Sequence, residues 1–132
     1  MSDAVLARTV AAVLILTGAI HLAPVTGLFG ADRLKGLYGV DVSGAAELEL
    51  LLRHRAVLFG LLGACLVASA FRPELHGPAL IVALVSVGSF LWLAAPVDAL
   101  APALRRVQLI DYGVLLALLV AGAMHAWRLW LH

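Results

Sequence analysis

Charge is what this chain has least of. Only 13% of its residues are Asp, Glu, Lys or Arg, while 64% are apolar, and the mean hydropathy is +1.06. A soluble domain carries roughly 25% charged and 45–50% apolar residues. This composition supplies no water-facing surface, so the lipid bilayer is the expected solvent and partner. The net charge of +1 comes with no basic run and no basic patch interleaved with aromatics, so nucleic acid is not an expected partner. A glycine-rich phosphate loop is also missing. The single Cys65 lies inside an apolar run. It forms no intrachain disulfide, implies no redox compartment, and is ordinary there as a small hydrophobe. No segment alternates with period two, and strands do not span a membrane singly, so the apolar runs are expected to be helices.

There are four such runs. A transmembrane helix needs about 20 mostly apolar residues, and the candidates cover about 4–22, 45–71, 78–95 and 104–127. The first stops before Pro24, the second before Pro73 and the third at Pro96. Pro78 suits a first turn, so all five prolines fall at helix edges or in connections, where a missing donor does least harm. Residues 72–77 and 96–102 are short links, which force antiparallel neighbours. The longer first connection, 23–44, carries Ala31–Tyr38, a pattern for a short amphipathic helix at the interface. Ser43 is the expected N-cap of the second span, with Glu47 in its first turn. The fold expected is all-α: one integral-membrane domain, an antiparallel four-helix bundle. Arg8 ahead of an apolar core mimics a signal peptide. Cleavage after Ala23 would place His21 at a small-residue position and Pro24 just beyond the cut, so a retained first helix is expected.

Small residues recur every four positions, at Gly60, Ala64 and Ala68 and again at Gly113, Ala117 and Ala121. Such rows let helices approach closely in lipid, although alanine-rich helices also show the spacing by chance. Trp127 and Trp130, and at the other ends Trp92 and Tyr112, read as interfacial anchors. Six Lys and Arg residues lie toward the face of the first and third connections, at 33, 35, 53, 55, 105 and 106. Three lie toward the other, at 8, 72 and 128. The excess favours a cytoplasmic long connection and external termini.

Antiparallel topology brings together the end of the first span, the start of the second, the end of the third and the start of the fourth. Those ends carry Thr17 and His21, then Glu47, Glu49, Arg53, His54 and Arg55, then Ser89 and Asp98, then Gln108, Asp111 and Tyr112. The opposite face holds only scattered polar residues. After Arg55 the uncharged run is 56 to 71, and after Asp111 it ends before His125. Both are short of a full span, so Asp111 belongs inside the hydrocarbon and Arg53–Arg55 at its edge. Ionisable groups there pair with one another or face a wet cavity. Glu49 and Arg53 lie one turn apart in the favourable order. Glu47, Leu51, His54 and Leu58 form a second stripe, and Gln108 and Asp111 share a face.

His21, Glu47, Glu49, Arg53, His54 and Asp111 are therefore the candidate proton-handling residues of a pocket opening at one leaflet. Arg55, Gln108 and Tyr112 are the candidates for holding its ligand. The competing reading is that the arginines snorkel, the glutamates are solvated, and Asp111 pairs with an arginine to fix the bundle. No HxxxH, HxxE or CxxC spacing supports a metal or haem, and no cofactor is legible.

A first helix ending Thr17-Gly-Ala-Ile-His21-Leu, the segment Glu49-Leu-Leu-Leu-Arg53-His54-Arg55-Ala-Val-Leu-Phe-Gly60, and four short spans together resemble the DoxX-like group of small bacterial membrane proteins. The resemblance implies the bacterial inner membrane. Some members of that group are associated with quinone-linked sulfur oxidation. The four-helix glutathione and eicosanoid enzymes of membranes rely on an asparagine in helix two, and this chain contains none. Small multidrug transporters carry a glutamate inside helix one, which also has no counterpart here. Three classes stay open: a protein binding or acting on a lipophilic quinone- or lipid-like molecule, an oligomeric proton-linked transporter, and an accessory membrane subunit.

Overall fold

The computed structural model describes residues 2–130, which are helical without a strand among them. α1 (Asp3–Leu22), α3 (Ala46–Ala70), α4 (His76–Ala94) and α5 (Pro102–Trp130) are the long apolar helices, and α2 (Ala31–Tyr38) is a short one. Four helical segments are long and apolar enough to cross a membrane. They form the antiparallel bundle expected, with the ends of α1 and α4 meeting the starts of α3 and α5.

The chain does not break at Pro24. α1 runs on through a 3-10 segment, Ala23–Phe29. Proline sits in the first turn of that segment, where its ring presets φ and its missing N–H costs nothing. Ser43 does not cap α3. The cap position belongs to Ala45, without a side-chain bond, and Ser43 lies two residues before it, in a turn where its amide donates to Asp41 Oδ1 at 3.0 Å. Asp41 also accepts from Lys35 Nζ at 3.0 Å. These bonds, led by the Ser43 amide, hold the Asp41 carboxyl well below the usual carboxylate range. A depressed carboxylate contributes at neutral pH and loses its effect only as pH falls through its lowered value. The Ser43 amide should therefore report Asp41 protonation by NMR only in strongly acidic solution, and Asp41→Asn should abolish that step.

α1 is the inner helix of the bundle, packing on α3 and α5. Its buried stripe, Leu6, Val10, Leu14, Thr17 and His21, keeps three- and four-residue spacing. With Leu66 and Ala70, Ala83 and Val87, and Val114 and Leu118, it builds the main core. The close approach of α1 and α3 uses Gly18 and Gly63, not the row read from the sequence. A Cβ on Gly63 would lie 2.7 Å from the Gly18 carbonyl, and one on Gly18 would lie 2.8 Å from the Gly63 carbonyl. Ala64, Ala68 and Gly113 face outward. Spacing alone gives four-residue rows on every face of an alanine-rich helix. Only the neighbour decides which row is used.

α2 docks through Leu34 and Tyr38, which with Val42 pack against Leu52 of α3 and Leu104 of α5. Gly39, at φ +69°, ends it by donating its N–H to the Lys35 carbonyl at 2.8 Å. The opposite face is more organised than its scattered polar residues imply. Buried His76 donates Nε2–H to the Ala70 carbonyl at 3.2 Å and stands edge-on to His125 at 6.3 Å. Arg128 Nε lies 2.6 Å from Asp3 Oδ1, tying the end of α5 to the start of α1.

Candidate functional site

Behind α2 the converging helix ends enclose a cavity of about 150 Å3. That is the size of a space holding one aromatic ring. α1 contributes His21, α2 Tyr38, α3 Arg55 and Phe59, α4 Ser86 and α5 Asp111. Apolar side chains such as Ile20, Leu37, Phe90 and Ile110 make up most of the remaining wall.

His21 is 4% exposed. Its Nδ1 lies 2.9 Å from the Thr17 carbonyl, which can only accept, so this nitrogen carries a proton. In the neutral ring Nε2 then accepts from the Ser86 hydroxyl at 3.0 Å. The imidazole stacks on Phe59 at 5.3 Å between ring centres, so tautomer and orientation are both fixed. Ser86→Ala should remove one partner of this chain, costing about 1 kcal/mol, with a changed His21 NMR signature as the local readout.

The Arg55 guanidinium lies 4.8 Å from the centre of the Phe59 ring and 5.3 Å from that of Tyr38. Phe59 and Tyr38 thus flank the cation with their ring faces. Among the described residues no acceptor sits within hydrogen-bond distance of it. Burial pushes the Tyr38 phenol up from its ordinary value, with Arg55 opposing, so Tyr38 presents a neutral hydroxyl. Asp111 is 9% exposed and also faces the cavity. Arg55 lines the same cavity, without an ion pair closing between the two. A cation's donors and a carboxylate's acceptors are thereby directed into one apolar chamber, and neither is spent on the protein.

Of the nine residues singled out in the sequence, the structure gathers His21, Arg55 and Asp111. The other six lie outside the cavity. Glu49 pairs with Arg53 at 3.6 Å, and Arg53 Nε donates to the Leu28 carbonyl of the 3-10 segment at 3.0 Å, away from the cavity lining. Glu47 and His54 are exposed. With Leu51 and Leu58, also exposed, they mark the outward face, rotated by about 100° about the helix axis from Arg55 and Phe59. Gln108 is half-buried without lining the chamber, and Tyr112 is 51% exposed.

Tyr38, Phe59 and Ser86 were missed. Phe59 follows Arg55 by four residues, and Tyr38 closes the apolar face of α2, so both left a signal. Ser86 left none, because a lone serine in an apolar helix has no pattern. No group of three or more His, Cys, Asp or Glu among the described residues is placed to hold a metal ion. No family model, curated protein or solved structure matches the chain.

Proposed function

We propose that this chain is an integral membrane protein that binds, or acts on, a lipophilic quinone- or lipid-like molecule through a ring-sized polar head. One observation carries the reading. Arg55 and Asp111 open into the same apolar cavity, and the protein satisfies neither by hydrogen bonds. Polar groups in so dry a site are expensive unless partnered, and a ligand with a carbonyl and a hydroxyl partners both. Arg55 donates to the carbonyl oxygen. Asp111 accepts from the hydroxyl and is placed to take its proton. The fixed His21–Ser86 pair supplies a second proton-handling group to the same cavity. The few convergent polar groups in an apolar wall are typical of small-molecule sites. The layout shared with DoxX-like proteins supports placing the chain in a bacterial inner membrane.

The test is mass spectrometry of the intact protein released from lipid nanodiscs, comparing wild type with Arg55→Met. A lipophilic small molecule retained by wild type and lost from the variant is the expected result. A wild type that retains none, and binds no quinone or hydroxyphenyl ketone on titration, would refute the reading and favour an accessory role. Ion flux that depends on Asp111 would favour a transporter.

A further inference from the structure

The chain itself says what kind of molecule reaches the cavity, and this step rests on the binding role proposed above. α3 packs chiefly on α1 and α4 chiefly on α5, so α3 and α4 meet each other only loosely. Two spaces lie along their seam. One is the polar-headed cavity, to which α3 gives Phe59 and α4 gives Ser86 and Phe90. The other is a groove of about 170 Å3 nearer the opposite face, between Leu62, Cys65 and Ser69 of α3 and Ala79 and Val82 of α4.

Helical register joins the two. Phe59, Leu62, Leu66 and Ser69 step by three or four residues along α3, as do Phe90, Ser86, Val82 and Ala79 along α4. Both spaces therefore border the same pair of helix faces. The groove is almost wholly apolar. Its one hydroxyl, on Ser69, donates to the Cys65 carbonyl at 2.7 Å, leaving the wall without a free hydroxyl donor. From Phe59 to Ser69 α3 rises about 15 Å, comparable to an extended alkyl chain.

We infer that the ligand is an amphiphile with one long apolar chain. Its polar head sits against Arg55 and Asp111, its chain lies along the α3–α4 seam toward the opposite membrane face, and it arrives sideways from the bilayer through that seam. The seam aligns the chain without tightening its binding. A methylene group gains nothing by leaving lipid tails for a wall of leucine and alanine, so affinity comes from the head. Chain length is then a poor readout of the proposal, and chain position is the right one.

The experiment uses the full protein in lipid nanodiscs. The probe is a neutral hydroxyphenyl ketone carrying an unbranched alkyl chain with a terminal diazirine, long enough to cover the groove. After irradiation, labelled positions are mapped by peptide mass spectrometry, with the same head bearing only a methyl group as competitor. Labelling should concentrate at Leu62, Cys65, Ala79 and Val82. Arg55→Met or the short competitor should reduce it by at least about tenfold, as for loss of a hydrogen bond to a charged group. Val82→Trp, at a half-exposed position, should shift the label off the seam without disturbing the core. Labelling that depends on Arg55 but scatters over Leu16, Leu116 and Val120 would overturn the seam and leave the head site standing. Labelling indifferent to both Arg55→Met and the competitor would refute the cavity reading and the seam together.

Discussion

Gly63→Ala should lower the stability of the bundle by about 1–3 kcal/mol, the usual range for overpacking. Alanine is ordinarily the better helix former, favoured over glycine by about 1 kcal/mol, so intrinsic propensity points the other way. Space decides the sign. The added methyl would stand 2.7 Å from the Gly18 carbonyl and 2.9 Å from Leu22 Cγ. A carbonyl in a helix cannot move aside, so α1 and α3 must separate along their length. That separation also disturbs His21, one turn beyond Gly18 on α1, and Phe59, one turn before Gly63 on α3. Gly18→Ala should behave alike, and the double variant should cost less than the sum, since the first substitution already forces the helices apart. Gly88→Ala is the control: a Cβ there meets nothing within 4 Å, so it should be neutral or stabilising. Thermal unfolding in detergent measures all four. A Gly63→Ala protein as stable as wild type would show that the contact yields at little cost.

Arg55→Met should be the most damaging polar substitution in the cavity, and Asp111→Leu in the same chain should partly repair it. Removing one member of a buried charged pair costs about 3–5 kcal/mol, because the other is left uncompensated. The cost here should fall at or below the lower end of that range, since Arg55 is half-buried and no direct ion pair closes between Arg55 and Asp111. Loss of the two aromatic contacts adds to the effect. Replacing both residues by apolar ones removes the uncompensated charge, and the coupling should amount to about 1–3 kcal/mol. Ligand retention separates stability from function. The double variant should recover much of the stability but none of the binding. Strictly additive effects would mean that the two residues do not share an environment.

Much of this architecture was legible because lipid imposes long uninterrupted apolar helices, and short links between them allow few arrangements. α2 was legible from Ala31 to Tyr38 because a glycine precedes and follows it and its apolar residues share one face. The convergence of His21 and Asp111 followed from antiparallel order alone. Choosing among the polar residues at the start of α3 was not possible by the same route. Glu47, Glu49, Arg53, His54 and Arg55 cover the whole circumference of the helix, and an apolar membrane face hides the usual inside-outside contrast. Arg55 and His54 are adjacent in sequence, yet one turns onto Phe59 and the other outward. The same ambiguity misplaced the small-residue row, since Gly63 differs from Gly60 only in having Gly18 opposite.

By itself, then, the sequence determined that the chain is all-helical, that four helices are long and apolar enough to cross a membrane, and that their polar ends converge on one side. Length and hydropathy settle those matters because a backbone in lipid must satisfy its own hydrogen bonds. Tertiary structure alone decided which ionisable groups share a chamber and which meet solvent or lipid. That choice depends on the rotation of each helix about its axis, which is set by contacts such as Gly18 on Gly63 and Arg55 on Phe59, between residues far apart in the chain.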